Sequence, residues 1–437
     1  MGRIYPKTGE ARSLVQVDVD SFKYIDREQN LTMSNLEVLR NPKQRKLLFS
    51  AGLSWMFDAM EVGMMSFIVA ALAKEWLLTP GEVGLVSSST SIGMAVGALL
   101  AGTMADKYGR KAVLMWTLLI FSVASGISAL ATGYVFLCII RFIAGVGLGG
   151  ELPVASTLVS ESVPAKERGR AVVLLESFWA AGWILSALIS FFVIPEYGWQ
   201  VAFLIGALPA LYALYLRRAI EDSPRLENKQ ELRKVPFREK FASVWSTEHR
   251  KTTLMLWILW FTVVFSYYGM FLWLPSIMQI KGFELVKSFQ YVLIMTLAQL
   301  PGYFTAAYFI ERFGRKFVLV VYLVMTAISA LWFGNAETEV SLILAGMSLS
   351  FFNLGAWGGM YAYTPELYPL KARSTGVGLS ASIGRVGGIL APLLVGLLVQ
   401  KGVAVESIFV LFFVTVLIGA AAVLILGRET KGLELED

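Results

Sequence analysis

The chain is 437 residues long, 56% hydrophobic and only 16% charged, with a formal charge of +6. Soluble proteins carry about 25% charged residues, so this composition excludes an ordinary soluble domain and predicts an all-α protein that crosses a bilayer repeatedly. The one cysteine, Cys138, excludes an intrachain disulfide and lies in an apolar run, where it reads as a small packing residue.

Residues 1–46 are polar, mixed in charge, lack an early apolar core and end in RNPKQRK, so they read as a cytoplasmic N-terminal tail rather than a cleavable signal. Within the tail, LTMSNLEVLRNPKQRKLL predicts either a short amphipathic surface helix or a flexible leader. A membrane crossing needs about 20 mostly apolar residues. Twelve such stretches follow, near 47–73, 83–105, 112–131, 134–160, 171–193, 198–218, 251–276, 289–310, 317–334, 340–363, 375–399 and 405–427. The polar interval 219–250 divides them into an N-terminal six-helix bundle (47–218) and a C-terminal one (251–427), and 428–437 forms a second tail.

Alternate loops differ in basic residues. One set holds Lys107, Arg110 and Lys111; Lys166, Arg168 and Arg170; Arg312, Arg315 and Lys316; and Lys371 and Arg373, while the other has only Lys74, Lys281, Lys287 and Lys401. The positive-inside rule places the basic set, the central linker and both termini in the cytoplasm. The positive charge is therefore topological, and no nucleic-acid partner is needed to explain it.

DKYGRK at 106–111 recurs as ERFGRK at 311–316, and ESVPAKERGR at 161–170 recurs as ELYPLKARST at 366–375, both at an offset of 205 residues. Trp55 and Trp260 share that offset, as do Gly182 and Gly387. The halves have the same parity of spans, so they are parallel repeats with a substrate path between them near the midplane. These loop motifs, together with RFIAGVGLGGELPV in span 4 and E-x-x-P-x-x-x-R after spans 4 and 10, resemble the major facilitator superfamily. The resemblance implies twelve transmembrane helices in two parallel six-helix repeats and, by default, a monomer. It also implies latches that involve Asp106 with Arg110, Glu161 with Arg168, Glu311 with Arg315, and Glu366 with Arg373. The alternative is that these charges only fix topology.

Few charges lie inside the spans: Asp58, Glu61, Arg141, Glu151, Glu176 and Arg385. Each costs about 2.5–3.5 kcal/mol at mid-bilayer on insertion scales, and such groups tend to face the bundle interior and mark a transport path. At the helical rise, Asp58 and Arg385 fall near mid-membrane. Asp58 and Glu61 share a helix face, and two carboxylates so close cannot both ionise cheaply without a cation. Spans 1 and 4 are neighbours in the resembled fold, which makes Arg141 that cation. Asp58, Glu61 and Glu151 are therefore candidate proton carriers, the alternative being a permanent ion pair that locks spans 1 and 4. The only histidine, His249, lies in the central interval, which excludes a histidine relay.

ESFWAAGW in span 5, FSYYGMFLWLP in span 7 and NLGAWGGMYAYTPE in span 10 place rings beside glycines at interior depth. Trp179, Tyr267, Tyr268 and Trp357 could stack on a flat ring, or could simply pack helices or sit at the lipid interface. Asp58-Ala-Met-Glu61, Phe178-Trp179, Ser266-Tyr267-Tyr268-Gly269 and Ala356-Trp357 resemble one branch of the superfamily, which holds the bacterial niacin permeases and the synaptic vesicle glycoproteins. In the vesicle proteins, residues matching Asp58, Trp179, Tyr268 and Trp357 line the central ligand pocket with Tyr267 beside them, and a lysine stands where Arg385 stands here. This chain lacks their large luminal domain between spans 7 and 8, and its compact loops look like the niacin permeases.

The resemblance implies a proton-coupled importer of nicotinate or a related small aromatic carboxylate. Its carboxylate would be held by Arg385 or Arg141 and its ring by Trp179, Tyr267, Tyr268 and Trp357. The competing expectations are a drug exporter or sugar-type porter on the same scaffold, or a non-transporting membrane receptor. Interior amides are few (Gln299 and Asn353), which disfavours a polyhydroxylated cargo, and titratable carboxylates at mid-depth disfavour a receptor. No nucleophile–base pair, metal cluster or phosphate loop is legible, so neither an enzyme nor a cofactor is expected. GVGLGGE at 145–151 superficially resembles a dinucleotide loop but lies in a membrane helix, where its glycines serve helix packing.

Overall fold

A computed structural model describes residues 41–108, 110–162, 168–219, 241–242, 244–368 and 370–431. The expectations for residues 1–40, for most of the central linker and for the last six residues lie outside this set. Among the described residues fifteen helices follow one another: α1 (Pro42–Glu75), α2 (Pro80–Tyr108), α3 (Arg110–Ser128), α4 (Tyr134–Ser162), α5 (Arg168–Tyr197), α6 (Trp199–Gly206), α7 (Pro209–Ala219), α8 (Arg250–Phe271), α9 (Leu274–Ile280), α10 (Leu285–Leu297), α11 (Gln299–Phe313), α12 (Arg315–Gly334), α13 (Glu339–Glu366), α14 (Leu370–Gln400) and α15 (Val405–Leu426). Ten spans are long and apolar enough to cross a membrane. The helix α2 and the broken pair α6–α7 complete twelve.

The breaks have local causes. Span 6 is interrupted just before Pro209, and span 8 is interrupted at Ala298, three residues before Pro301. A proline removes a backbone donor and clashes with the preceding turn. Span 1 has no such interruption. Asn41 caps it by accepting the Lys43 N–H at 3.0 Å, and Pro42 occupies its first turn. The surface helix considered for the end of the tail is therefore, over residues 42–48, the opening of span 1 itself.

The repeat is visible in the packing. A side chain on Gly182 would meet the Met56 carbonyl of span 1, and one on Gly387 would meet the Phe261 carbonyl of span 7; Met56 and Phe261 are again 205 residues apart. The glycines of span 4 work as expected. Gly145 lies against Thr90 and Gly93 of span 2, Gly149 against Met94, and Gly147 against Thr117 and Phe121 of span 3.

The halves meet most tightly towards the side bearing the turns 76–79, 281–284 and 401–404. There Gly84 of span 2 packs on Gly396 of span 11, and the Phe67 and Phe289 rings cross edge-on at 5.2 Å. The Gln279 side chain donates to Ala70 O at 3.4 Å, and Ser88 donates to Ile389 O at 2.9 Å, nearer mid-depth. The protein is closed on that side.

On the opposite side the segment 428–431 clasps the C-terminal half. Arg315 Nε lies 3.1 Å from Glu366 Oε2, and Thr430 donates to the same oxygen at 2.6 Å. Glu429 accepts the first N–H groups of α12, from Arg315 at 2.8 Å and Lys316 at 3.1 Å. Burial opposes the Glu429 charge, but backbone N–H groups of Lys431, Arg315, Thr430 and Lys316 outweigh it and hold the carboxyl below the ordinary glutamate value. The basic-loop motif and the glutamate after span 10 are thus joined to each other through Arg315 and Glu366. The sequence grouped them instead with Glu311 and Arg373. The side chains of Asp106, Arg110, Glu161, Arg168, Glu311 and Arg373 lie outside the described ones.

Candidate functional site

The predicted aromatics come together at mid-depth, on the surface where the halves face each other. Trp179 of span 5 is the centre. Its indole N–H donates to the Tyr267 hydroxyl of span 7 at 2.7 Å, a buried bond that joins the two halves. Trp179 and Trp357 lie with planes 10° apart and centroids 6.4 Å apart. Tyr267 closes the third side, with its centroid 4.9 Å from Trp357, and Tyr268 follows it edge-on at 5.4 Å. All four side chains are buried, so the cage is drawn shut, and admitting a cargo ring requires Trp179 and Trp357 to part.

The sequence missed two members of this cluster. Trp55 stacks on Trp179 at 4.7 Å and 38°, and Trp183 meets Tyr267 edge-on at 5.9 Å. The signal was available. Trp55 stands three residues before Asp58, and Trp179 and Trp183 stand three and seven residues after Glu176, which are same-face spacings.

Arg385 reaches the cage from span 11. It is half-buried, lies beside the Tyr268 hydroxyl, and has no ion-pair partner among the described residues. It also donates to the thioether of Met94 in span 2, at 3.8 Å. A guanidinium without a carboxylate at this depth is costly, and its planar fork of donors fits a planar carboxylate in two-point contact.

The carboxylates of span 1 part company. Glu61 Oε1 lies 2.6 Å from Arg141 NH1, with both side chains essentially without solvent contact, and the Arg141 guanidinium sits over the Phe203 ring of span 6 at 5.5 Å. This pair lies inside the N-terminal half, with Gly206 against Glu61. Asp58 turns instead toward Glu151 of span 4, with Arg385 acting on it from across the halves. Neither oxygen of Asp58 or of Glu151 has a hydrogen-bond donor. Two buried carboxyls facing each other in this way need a proton or a cation between them. Asp58 and Glu61 thus have different partners, although the Glu61 charge still acts on Asp58. Three residues of separation point them at different partners, both on span 4.

Arg141 and Arg385, the two candidates for a cargo carboxylate, are likewise separated. Arg141 is engaged by Glu61 away from the cage, and Arg385 stands beside it. No group of three or more histidine, cysteine, aspartate or glutamate residues arranged for a metal occurs among the described residues.

The Major Facilitator Superfamily profile matches residues 47–301 and 291–436. The chain is 58% identical over 393 residues to a putative niacin/nicotinamide transporter of Bacillus subtilis, covering 90% of this chain and 98% of that one. It is 46% identical over 418 residues to the niacin transporter of Acinetobacter baylyi, covering 90% and 95%. A synaptic vesicle 2-related protein of Xenopus laevis is 29% identical over 445 residues, covering 90% and 80%. Among solved structures, a D-xylose-proton symporter superposes with a TM-score of 0.75 over 89% of this chain and 99% of that one at 19% identity, a likeness of fold alone. Profile, relatives and the helical repeat agree: this chain belongs to the major facilitator superfamily, a family of transporters rather than enzymes, within the branch that includes bacterial niacin transporters and the synaptic vesicle 2-related proteins.

Proposed function

We propose that this protein imports nicotinate, or a closely related small aromatic carboxylate, by proton symport and alternating access. The observation that carries the reading is an aromatic cage contributed by both halves with an arginine beside it that has no ion-pair partner among the described residues. Trp179, Trp357, Tyr267 and Tyr268 hold the ring, and Arg385 takes the carboxylate. The niacin transporters at 58% and 46% identity support this choice of cargo.

Protons enter through the Asp58–Glu151 pair. When cargo occupies Arg385, the arginine no longer compensates Asp58, and the pair takes up a proton. When cargo leaves, Arg385 turns back to Asp58 and the proton is released. The cargo carboxylate and the Asp58 carboxylate thus compete for one cation, so cargo and proton bind together and move together. Glu61 and Arg141 form a lock between spans 1 and 4 that carries span 1 as part of a rigid half.

The protein works in a bacterial cytoplasmic membrane as a monomer, with both tails and the basic loops in the cytoplasm and residues 47–218 and 251–427 as the rocking halves. In this orientation the closed side is external. Arg315 and Glu366, with Asp106, Arg110, Glu161, Arg168, Glu311 and Arg373, serve as the cytoplasmic latches of the two halves.

The test is uptake of radiolabelled nicotinate into proteoliposomes under imposed pH gradients. The expected result is accumulation when the outside is acidic, abolished by a protonophore. Uptake indifferent to the gradient removes proton coupling. Tight binding with no uptake supports a receptor instead.

A further inference from the structure

Glu176 has no part in the mechanism above, yet it lies against the cage. It stands three residues before Trp179 on span 5, on the same helix face, and is fully buried. Neither of its oxygens has a hydrogen-bond partner. The indole edges of Trp55 and Trp357 are the polar groups turned toward it, and both indole N–H groups are also without partners. Tyr303 of span 8 lies in the same neighbourhood, with its buried hydroxyl unpartnered. Folded proteins leave few buried polar groups unsatisfied, and each such group calls for an explanation. The two indole N–H groups face the Glu176 carboxyl as complementary donors but stand outside hydrogen-bond distance, which leaves the carboxyl's own proton for an acceptor atom of a ligand at this edge of the cage.

We propose that Glu176, flanked by the indoles of Trp55 and Trp357, forms the subsite that reads the ring nitrogen of a pyridine carboxylate. The proposal rests on the function proposed above and deepens it, because the cage and Arg385 alone would accept benzoate as readily as nicotinate. Glu176 and the ring nitrogen share one proton. A neutral carboxyl donates its O–H to the nitrogen lone pair. If the proton crosses, the pyridinium N–H donates back to the carboxylate, and no proton is gained or lost. A benzene ring offers only C–H at that position, so the carboxyl stays unpartnered. A site built around a buried hydrogen bond rejects the analogue that lacks the group far more strongly than an apolar pocket rejects a change of size.

The experiment uses the purified full-length protein. Binding of nicotinate and of benzoate is measured by quenching of tryptophan fluorescence for the wild type, Glu176→Gln and Glu176→Leu. The wild type is expected to prefer nicotinate by roughly 30-fold or more. Glu176→Leu should collapse that preference to within about 3-fold, chiefly by losing nicotinate affinity, as expected when a buried bond is lost. Glu176→Gln, whose amide can still donate to the nitrogen, should keep most of it.

A wild type that binds both acids equally overturns the proposal while leaving the transport reading intact. So does a Glu176→Leu variant that keeps the full preference, including one that loses only gradient-driven uptake and so identifies Glu176 as a proton carrier. A wild type that binds neither acid overturns the proposed function, and this subsite with it. Equal wild-type binding overturns the proposal by itself, and Glu176→Met tests the residue assignment where the leucine variant does not fold.

Discussion

Replacing Glu61 by glutamine should cost stability rather than coupling. Its carboxylate lies 2.6 Å from the Arg141 guanidinium, with 1% and 0% of the two side chains exposed. At an effective dielectric of 20 that separation corresponds to about 6 kcal/mol of attraction, most of it offset by the desolvation of both ions. Removing one partner leaves Arg141 charged, buried and resting only on the Phe203 ring, a change that costs about 3–5 kcal/mol. For a chain of this size, Glu61→Gln should lower the melting temperature by roughly 3–6 °C. The double variant Glu61→Leu/Arg141→Met should recover most of the loss, because an apolar pair of similar volume often matches a buried ion pair. This holds the more readily here because Glu61 Oε2 and Arg141 Nε and NH2 already lack partners. The assay is thermal unfolding in detergent followed by tryptophan fluorescence, paired with pH-driven uptake. If Glu61→Gln melts with the wild type yet loses gradient-driven accumulation, Glu61 is the coupling carboxylate and the lock does not exist.

Asp58→Asn and Glu151→Gln should each abolish accumulation driven by a pH gradient while sparing counterflow exchange; intact accumulation in either variant removes that residue from the proton path. Tyr267→Phe deletes the acceptor of the 2.7 Å bond that crosses the halves, and leaving the Trp179 N–H unpaired should weaken nicotinate binding about 10-fold, from 1–2 kcal/mol. Gly145→Val drives a side chain into the Thr90 carbonyl of span 2. Because backbone cannot yield as a side chain does, the variant should lose at least 1–3 kcal/mol, seen as a fall in the monodisperse yield of membrane-extracted protein. The Glu429 carboxyl is held below its ordinary value in the folded chain. It therefore contributes stability above the ordinary glutamate pKa and loses that contribution as the pH falls through the lowered folded value. Protease access to the 428–431 clasp should rise with acid in the wild type, and Glu429→Gln should be open at neutral pH with no such dependence.

Much of the architecture was legible because a bilayer restricts what a chain can do. A spanning segment must satisfy its backbone internally, so length and hydropathy locate helices directly. The 205-residue offset needed only short identities, and its consequence appeared in space where Gly182 and Gly387 receive the carbonyls of Met56 and Phe261. The aromatic cage was readable for a related reason, since rings beside glycines at interior depth have few places to go. Periodicity was a weaker guide to partners. Residues 58 and 61 share a face in projection, yet they differ by about 60° around the axis, enough for one to meet Glu151 and the other Arg141. The Arg315–Glu366 pair and the clasp through Glu429 bring together residues far apart in the chain, and no local pattern records such a meeting.

The sequence by itself determined the all-helical membrane fold, the two parallel halves, and the residue types that build an aromatic, cationic interior. Those follow from hydropathy and spacing, which act within one helix at a time. Only the tertiary structure decided that Arg141 belongs to Glu61 while Arg385 stands by the cage, that Asp58 faces Glu151, and that Glu176 lies buried beside the rings without a partner. Which charge meets which is set by how each helix is rotated and shifted against its neighbours, and that rotation comes from packing the whole bundle at once.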